Sequence, residues 1–196
     1  MKKFKKIKEE IRILAWDDGP FEFGTIGEDI IVGVIFRGGK ILDGFLKTEV
    51  KIDGIDATRK IIEKILKCKH KDLRVVMFDG ITVAGFNIVD IKEIYEKTKL
   101  PVIVVIRKKP DIKKFILSMK KLPYSKKRLK CVENAGTIYP ATIKDKRIYF
   151  QCYGIEKEDA EEIIKKTSTI SLIPEPLRVA HLIATGFVFG ESVGRA

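Results

Sequence analysis

Asp17 and Asp18 close the apolar run IRILAW, and Asp79 closes the run LRVVMF, with a glycine after the acids in both places. In an open α/β sheet, ligands collect at the carboxyl ends of the strands, so neighbouring strands would set these acids together. Gathered carboxylates repel one another unless a cation lies among them. Mg²⁺ is a hard ion that takes such oxygens while keeping several waters and binding substrate phosphate. Two such ions about 4 Å apart would activate a water and stabilise the leaving oxygen of a phosphodiester. The chemistry outlined is phosphoryl transfer with Mg²⁺, and its candidate metal ligands are Asp17, Asp18 and Asp79. Strand alternation sends the side chains of Asp17 and Asp18 to opposite faces, so only one of them should reach the ions, and the sequence leaves open which. A single Asp-Gly pair after a strand is better explained as a turn in which Asp bonds its own backbone.

These ends need a sheet to hold them. The run DIIVGVIFRGGKILDGFLKTEVKI carries two β-rich stretches around Arg37–Lys40, which reads as a hairpin. From Asp56 to about Lys69, Ile61, Ile62, Ile65 and Leu66 recur at helical spacing, and Asp56 is placed as the N-cap. LRVVMFDG and PVIVVIRKKP are continuous apolar runs of the kind buried on both faces. IVDIKEIYEKTK is a helix between them, and DIKKFILSMKKL is another with Ile112, Phe115, Ile116 and Met119 as its apolar stripe. The tail supplies strands around TIYPATI and RIYFQCYG and helices from about Lys157 and Pro176. A hairpin followed by alternating strands and helices predicts a mixed α/β sheet with parallel crossovers and helices on both faces.

The chain has 196 residues, 45% hydrophobic and 34% charged, enough for one sizeable core; one domain over residues 1–196 is expected. Three cysteines stand far apart with no CxxC pair, which argues against a zinc ribbon or a disulfide framework and for a reducing, cytoplasmic setting. The amino terminus is basic, but ILAW is too short for the apolar core of a signal peptide, and no run approaches a membrane span. The net charge is +12, and between Arg107 and Lys130 eleven basic residues face one acid. Like charges crowd where a polyanion compensates them, so this segment is a candidate nucleic-acid grip. It offers Arg107, Lys108, Lys109, Lys113, Lys114, Lys120, Lys121, Lys126, Lys127 and Arg128 to phosphates. A lysine-rich solvated face is the simpler alternative. Tyr124, Tyr139 and Tyr153 could stack on an exposed base.

Several separated motifs carry a resemblance to a known family. PEPLRVAH, from Pro174 to His181, resembles the carboxyl-terminal motif of endonuclease V, whose closing His or Asp joins the metal site; MFDGITVAGFN resembles its strand ending in Asp-Gly, and AWDDG its first catalytic aspartate. Carried over, these matches imply Asp17 (with Asp18 as rival), Asp79 and His181 as catalytic residues. The family's glutamate near the first helix has Asp53 and Asp56 as counterparts here, Asp56 the better placed, which implies Asp56 as a further catalytic residue and metal ligand beside Asp17 and Asp79. The wedge that endonuclease V uses beside a deaminated base is not matched, EVKIDG standing in its place, so inosine recognition does not carry over. The combination DDGPF, VKIDGIDATRK, DGITVAGFNIVDI and PEPLRVAH with GESVGRA is similar to the archaeal endonuclease dU family. That resemblance implies a ribonuclease-H-like fold and a Mg²⁺- or Mn²⁺-dependent endonuclease acting on DNA at deoxyuridine. The alternatives are a non-catalytic nucleic-acid-binding protein of the same fold and a ribonuclease acting on modified RNA.

Overall fold

The computed structural model describes residues 3–22 and 24–192. Strand β1 (Arg12–Asp18) is followed by the hairpin of β2 (Glu28–Arg37) and β3 (Ile41–Lys51), then by helix α1 (Ala57–Lys67). Next come β4 (Val75–Asp79), a short ribbon of β5 (Thr82–Val83) and β6 (Asn87–Ile88), helix α2 (Ile91–Thr98) and β7 (Val102–Ile106). Helices α3 (Ile112–Lys120) and α4 (Ser125–Ala135) lead to β8 (Tyr139–Ile143) and β9 (Lys146–Tyr153), and α5 (Lys157–Thr167) and α6 (Glu175–Phe189) complete the chain. The main sheet has seven strands in the order β3-β2-β1-β4-β7-β9-β8. β1, β4 and β7 run parallel at its centre, while the hairpins on either flank run antiparallel. This is the mixed α/β sheet that the alternation of apolar runs predicts.

Period-two alternation divides the core between the two faces. Ile13 and Ala15 of β1 join Val75 and Met77 of β4 on the face covered by α5 and α6. Leu14 and Trp16 join Val76 and Phe78 on the face covered by α1 and α2. Trp16 aligns with Phe78 across the parallel pair and with Gly33 across the antiparallel one. Any Cβ at residue 33 would come within 2.8–2.9 Å of the Trp16 ring, so the glycine makes room for the indole at the sheet's centre. The parity set by these packed side chains also decides where the terminal acids point.

Helices α3 and α4 form an outer layer on the short β5–β6 ribbon, with Met119 and Cys131 packed on Ile88, and Phe115 stacked on Phe86 at 5.6 Å. Ile112, expected on the apolar stripe of α3, stays at the surface. α4 has no counterpart in the apolar pattern: its buried positions are Arg128, Cys131 and Ala135. The spacing is helical, but an arginine carries part of it, and a hydrophobic period cannot register that. Among the described residues no helix is long and apolar enough to cross a membrane.

Candidate active site

Asp17 follows the parity of Ile13 and Ala15, and Asp79 that of Val75 and Met77. Because Trp16 aligns with Phe78, the two acids occupy the next rung of the central parallel pair, on one face. Helix α6 lies over β1 and β2 on that same face and brings its His181 to the rung. Nδ1 of His181 stands 3.0 Å from Asp17 Oδ2. With the carboxylate accepting, Nδ1 carries the proton and Nε2 remains for a second partner, the arrangement by which carboxylates orient metal- or water-binding histidines. Arg107, just past β7, donates from Nη2 to Asp79 Oδ2 at 3.3 Å. Four strand or helix segments thus deliver Asp17, Asp79, His181 and Arg107 to one edge.

Asp18 points to the other face, where its Oδ2 accepts the Ala84 N–H at 2.7 Å. Of the two neighbouring acids, Asp17 is therefore the one beside His181 and Asp79.

Charge at this edge is under strain. Burial, and after it the negative charge of Asp17, pushes Asp18 up to about 8 despite the Ala84 amide. Burial likewise pushes Asp79 up to about 6, with Asp17 adding to the effect and Arg107 opposing it. His181 is raised by its hydrogen bond to Asp17. One further acid gives no signal in the sequence. Asp29, near the start of β2, is only 6% exposed; its Oδ1 accepts the Ile30 N–H at 2.7 Å and its Oδ2 has no partner. Burial pushes Asp29 up to about 6, the Ile30 amide pulling back and Asp17 adding to the rise. Its place depends on the pairing register of β2 against β1, which no local spacing reveals.

Asp56 is held elsewhere, a correction to the expectation that it joins the other acids. Its Oδ1 accepts from the Lys51 N–H at 3.2 Å and from Asn87 Nδ2 at 2.8 Å, and its Oδ2 faces Lys60 Nζ at 3.2 Å. Burial alone would raise it, but Asn87, Lys60 and the Lys51 amide outweigh burial and hold it below its ordinary value. It is an already neutralised group rather than one waiting for a cation. Its rival Asp53 accepts the Phe86 N–H at 2.8 Å.

Among the described residues no three His, Cys, Asp or Glu side chains form a ready-made cage for a metal ion. Mg²⁺ needs none, since it is commonly held by one or two carboxylates and completes its shell with water and substrate phosphate. The chemistry of Asp17 and Asp79 fits such an ion: both are oxygen donors at a desolvated edge, each now facing a cationic or protonated nitrogen that an ion could replace.

The basic segment begins at this edge with Arg107. Lys108, Lys109, Lys113, Lys114, Lys120, Lys121, Lys126 and Lys127 are all exposed along the β7–α3 connection, α3 and α4. Arg128 corrects the expectation that the whole run grips phosphate. It is 2% exposed, and its guanidinium donates to the carbonyls of Pro123 at 3.0 Å, Gly54 at 2.9 Å, Asp53 and Phe86. The last residues of GESVGRA, from 193 on, lie outside the described residues.

A family model described as endonuclease dU matches residues 9–188. A UPF0215 protein of Methanothermobacter thermautotrophicus is 48% identical over 98% of this chain and 95% of its own length. One from Methanopyrus kandleri is 43% identical over 97% of this chain and 98% of its own. A crystal structure of a protein of unknown function from Archaeoglobus fulgidus superposes with a TM-score of 0.81, at 39% identity over 90% of this chain and 97% of that one. Endonuclease V of Ciona intestinalis, solved with a 24mer DNA containing inosine, shares the fold at TM-score 0.56 and 16% identity, covering 86% of this chain and 82% of that one.

Proposed function

The chain belongs to the endonuclease dU family, and from that membership and the site we propose a Mg²⁺- or Mn²⁺-dependent DNA endonuclease that hydrolyses a phosphodiester at or near deoxyuridine. One observation carries the reading: Asp17 and Asp79 end adjacent parallel strands on one face, with His181 Nδ1 3.0 Å from Asp17. Bound there, a dication would activate water and offset charge on the scissile phosphate. Asp17 and Asp79 would hold it. Asp17 also fixes the His181 ring, so that Nε2 can hold or hand over a proton at the attacking water or the leaving oxygen. Arg107, now on Asp79, is placed to turn to a phosphate oxygen, and the exposed lysines after it hold the backbone in register.

Matched DNA and RNA oligonucleotides carrying uracil, inosine or neither, incubated with Mg²⁺ or with EDTA, test this reading. Cutting of uracil-bearing DNA that stops in EDTA is the expected result. Binding with no cutting would leave a nucleic-acid-coating protein, and cutting confined to RNA would leave a ribonuclease.

Ordinary electrostatics adds a second check. Asp18, Asp29 and Asp79 all sit above their usual range. The folded chain therefore keeps protons that the unfolded chain has released, between the ordinary value near 3.8 and about 8. Where the folded state binds more protons, stability falls as pH rises. Without a divalent ion the melting temperature should fall from pH 4.5 to pH 8, and Mg²⁺ should recover the part due to Asp79 at pH 8, not the part due to Asp18 on the other face, and do little at pH 4.5. A profile that rises with pH in EDTA would contradict the burial of these charges.

The basic layer has its own signature. Removing one phosphate-binding cation lowers the slope of log affinity against log salt by about 1. Lys120→Ala with Lys121→Ala should reduce that slope by about 2 and weaken uracil-bearing and plain DNA alike. A slope unchanged by the pair would remove α3 from the interface.

A further inference from the structure

The turn into α1 and the turn into α4 enclose a crevice of about 500 Å³, lined among others by Lys51, Asp53, Asp56, Lys60, Tyr124 and Arg128. A space of that size accommodates a small planar ligand.

Of the three tyrosines that could stack on a base, two are engaged within the fold. Tyr139 packs on Phe150 and Tyr153 on Tyr95, each at 5.6 Å between ring centres. Tyr124 is 67% exposed at the lip of the crevice. Its backbone lies in the left-handed region with φ 58°, an uncommon conformation for an aromatic residue that persists only where the surroundings enforce it. Arg128 does the enforcing. One guanidinium donates to the Pro123 carbonyl on the Tyr124 side and to the Asp53 and Gly54 carbonyls on the α1 side, so it fastens the two lips together. Asp56 and Lys60 are taken up with each other at 3.2 Å, which leaves Asp53 and Lys51, an acid and a base among the lining residues, for the two hydrogen-bond senses. A short ladder connects it with the acidic edge: Asp53 N–H donates to the Ala84 carbonyl at 2.9 Å, and Ala84 N–H donates to Asp18, the neighbour of Asp17.

We propose that this crevice receives a nucleobase swung out of the DNA, its face stacked on Tyr124 and its hydrogen-bonding edge turned to Lys51 and Asp53. The proposal rests on the nuclease reading and names the place where that enzyme samples a base. Stacking on an exposed ring binds any base, and polar groups at its edge supply the choice. A uracil base leaves its stack more readily than a well-matched one when mispaired, which favours its entry.

The test uses the full chain in EDTA and a duplex with 2-aminopurine beside a mispaired deoxyuridine, since that fluorophore brightens when its neighbour leaves the stack. The unsubstituted chain and Tyr124→Phe should brighten it. Tyr124→Ala should abolish the brightening and bind uracil-bearing DNA roughly tenfold more weakly, the effect of removing one base-on-ring stack. Its affinity for plain duplex should stay within about twofold. Brightening and affinity unchanged in Tyr124→Ala would overturn the crevice, even if Mg²⁺-dependent cutting persists and the nuclease stands. Tyr124-dependent brightening from a chain that cuts nothing in Mg²⁺ would uphold the crevice and overturn the nuclease.

Discussion

Replacing Asp79 by asparagine should reduce Mg²⁺-dependent cutting by roughly 100-fold or more, since residues that merely orient metal ligands already cost about 10- to 100-fold. Binding should survive, because the exposed lysines of α3 and α4 do not depend on this carboxylate. Nor should the fold suffer: Asp79 is a desolvated acid beside Asp17, and a neutral amide of the same shape removes that repulsion. Single-turnover cleavage, salt-dependent DNA affinity and a melting curve at pH 8 together measure this. Full activity in Asp79→Asn would take the acid out of the machinery. Loss of fold along with activity would make its role structural.

The second large effect concerns stability. Arg128→Ala should cost about 3–5 kcal/mol, because it removes the donor group from the carbonyls of Pro123, Asp53, Gly54 and Phe86. For a chain of this size each kcal/mol moves the melting temperature by about 2–4 °C, so a fall of roughly 6–20 °C is expected. Lys127→Ala, one residue away on the exposed side, should change stability by less than about 0.5 kcal/mol. Denaturant titration of the two variants separates them. A cost below about 1 kcal/mol for Arg128→Ala would mean that the turns before α1 and α4 hold their shape without the guanidinium.

That contrast between neighbouring basic residues shows where sequence reading succeeds and where it stops. Strands β1, β4 and β7 are legible because they are continuous apolar runs, the first two closed by acids before a glycine and the third by a basic turn, and their adjacency follows from the crossover rules. That one of Asp17 and Asp18 meets Asp79 follows from those strands, and His181 from the PEPLRVAH resemblance. The structure adds what depends on pairing and parity. It sends Asp18 to the far face, brings Asp29 in from β2 and leaves Asp56 with Lys60 and Asn87. α4 escapes notice for the same reason Arg128 is misread: a cation pattern looks solvated until the fold supplies carbonyls to surround it. Charge counts locate the basic layer, but they cannot tell the lysines that face solvent from the arginine that faces the protein.

The central claim is that Asp17 and Asp79 hold one ion between strand ends. Crystals grown with Mn²⁺, measured at the manganese absorption edge, test it most directly. An anomalous peak touching carboxylate oxygens of both Asp17 and Asp79, with Arg107 turned off Asp79, is the expected result. Manganese bound elsewhere, with Asp17 still on His181 and Asp79 still on Arg107, would contradict it.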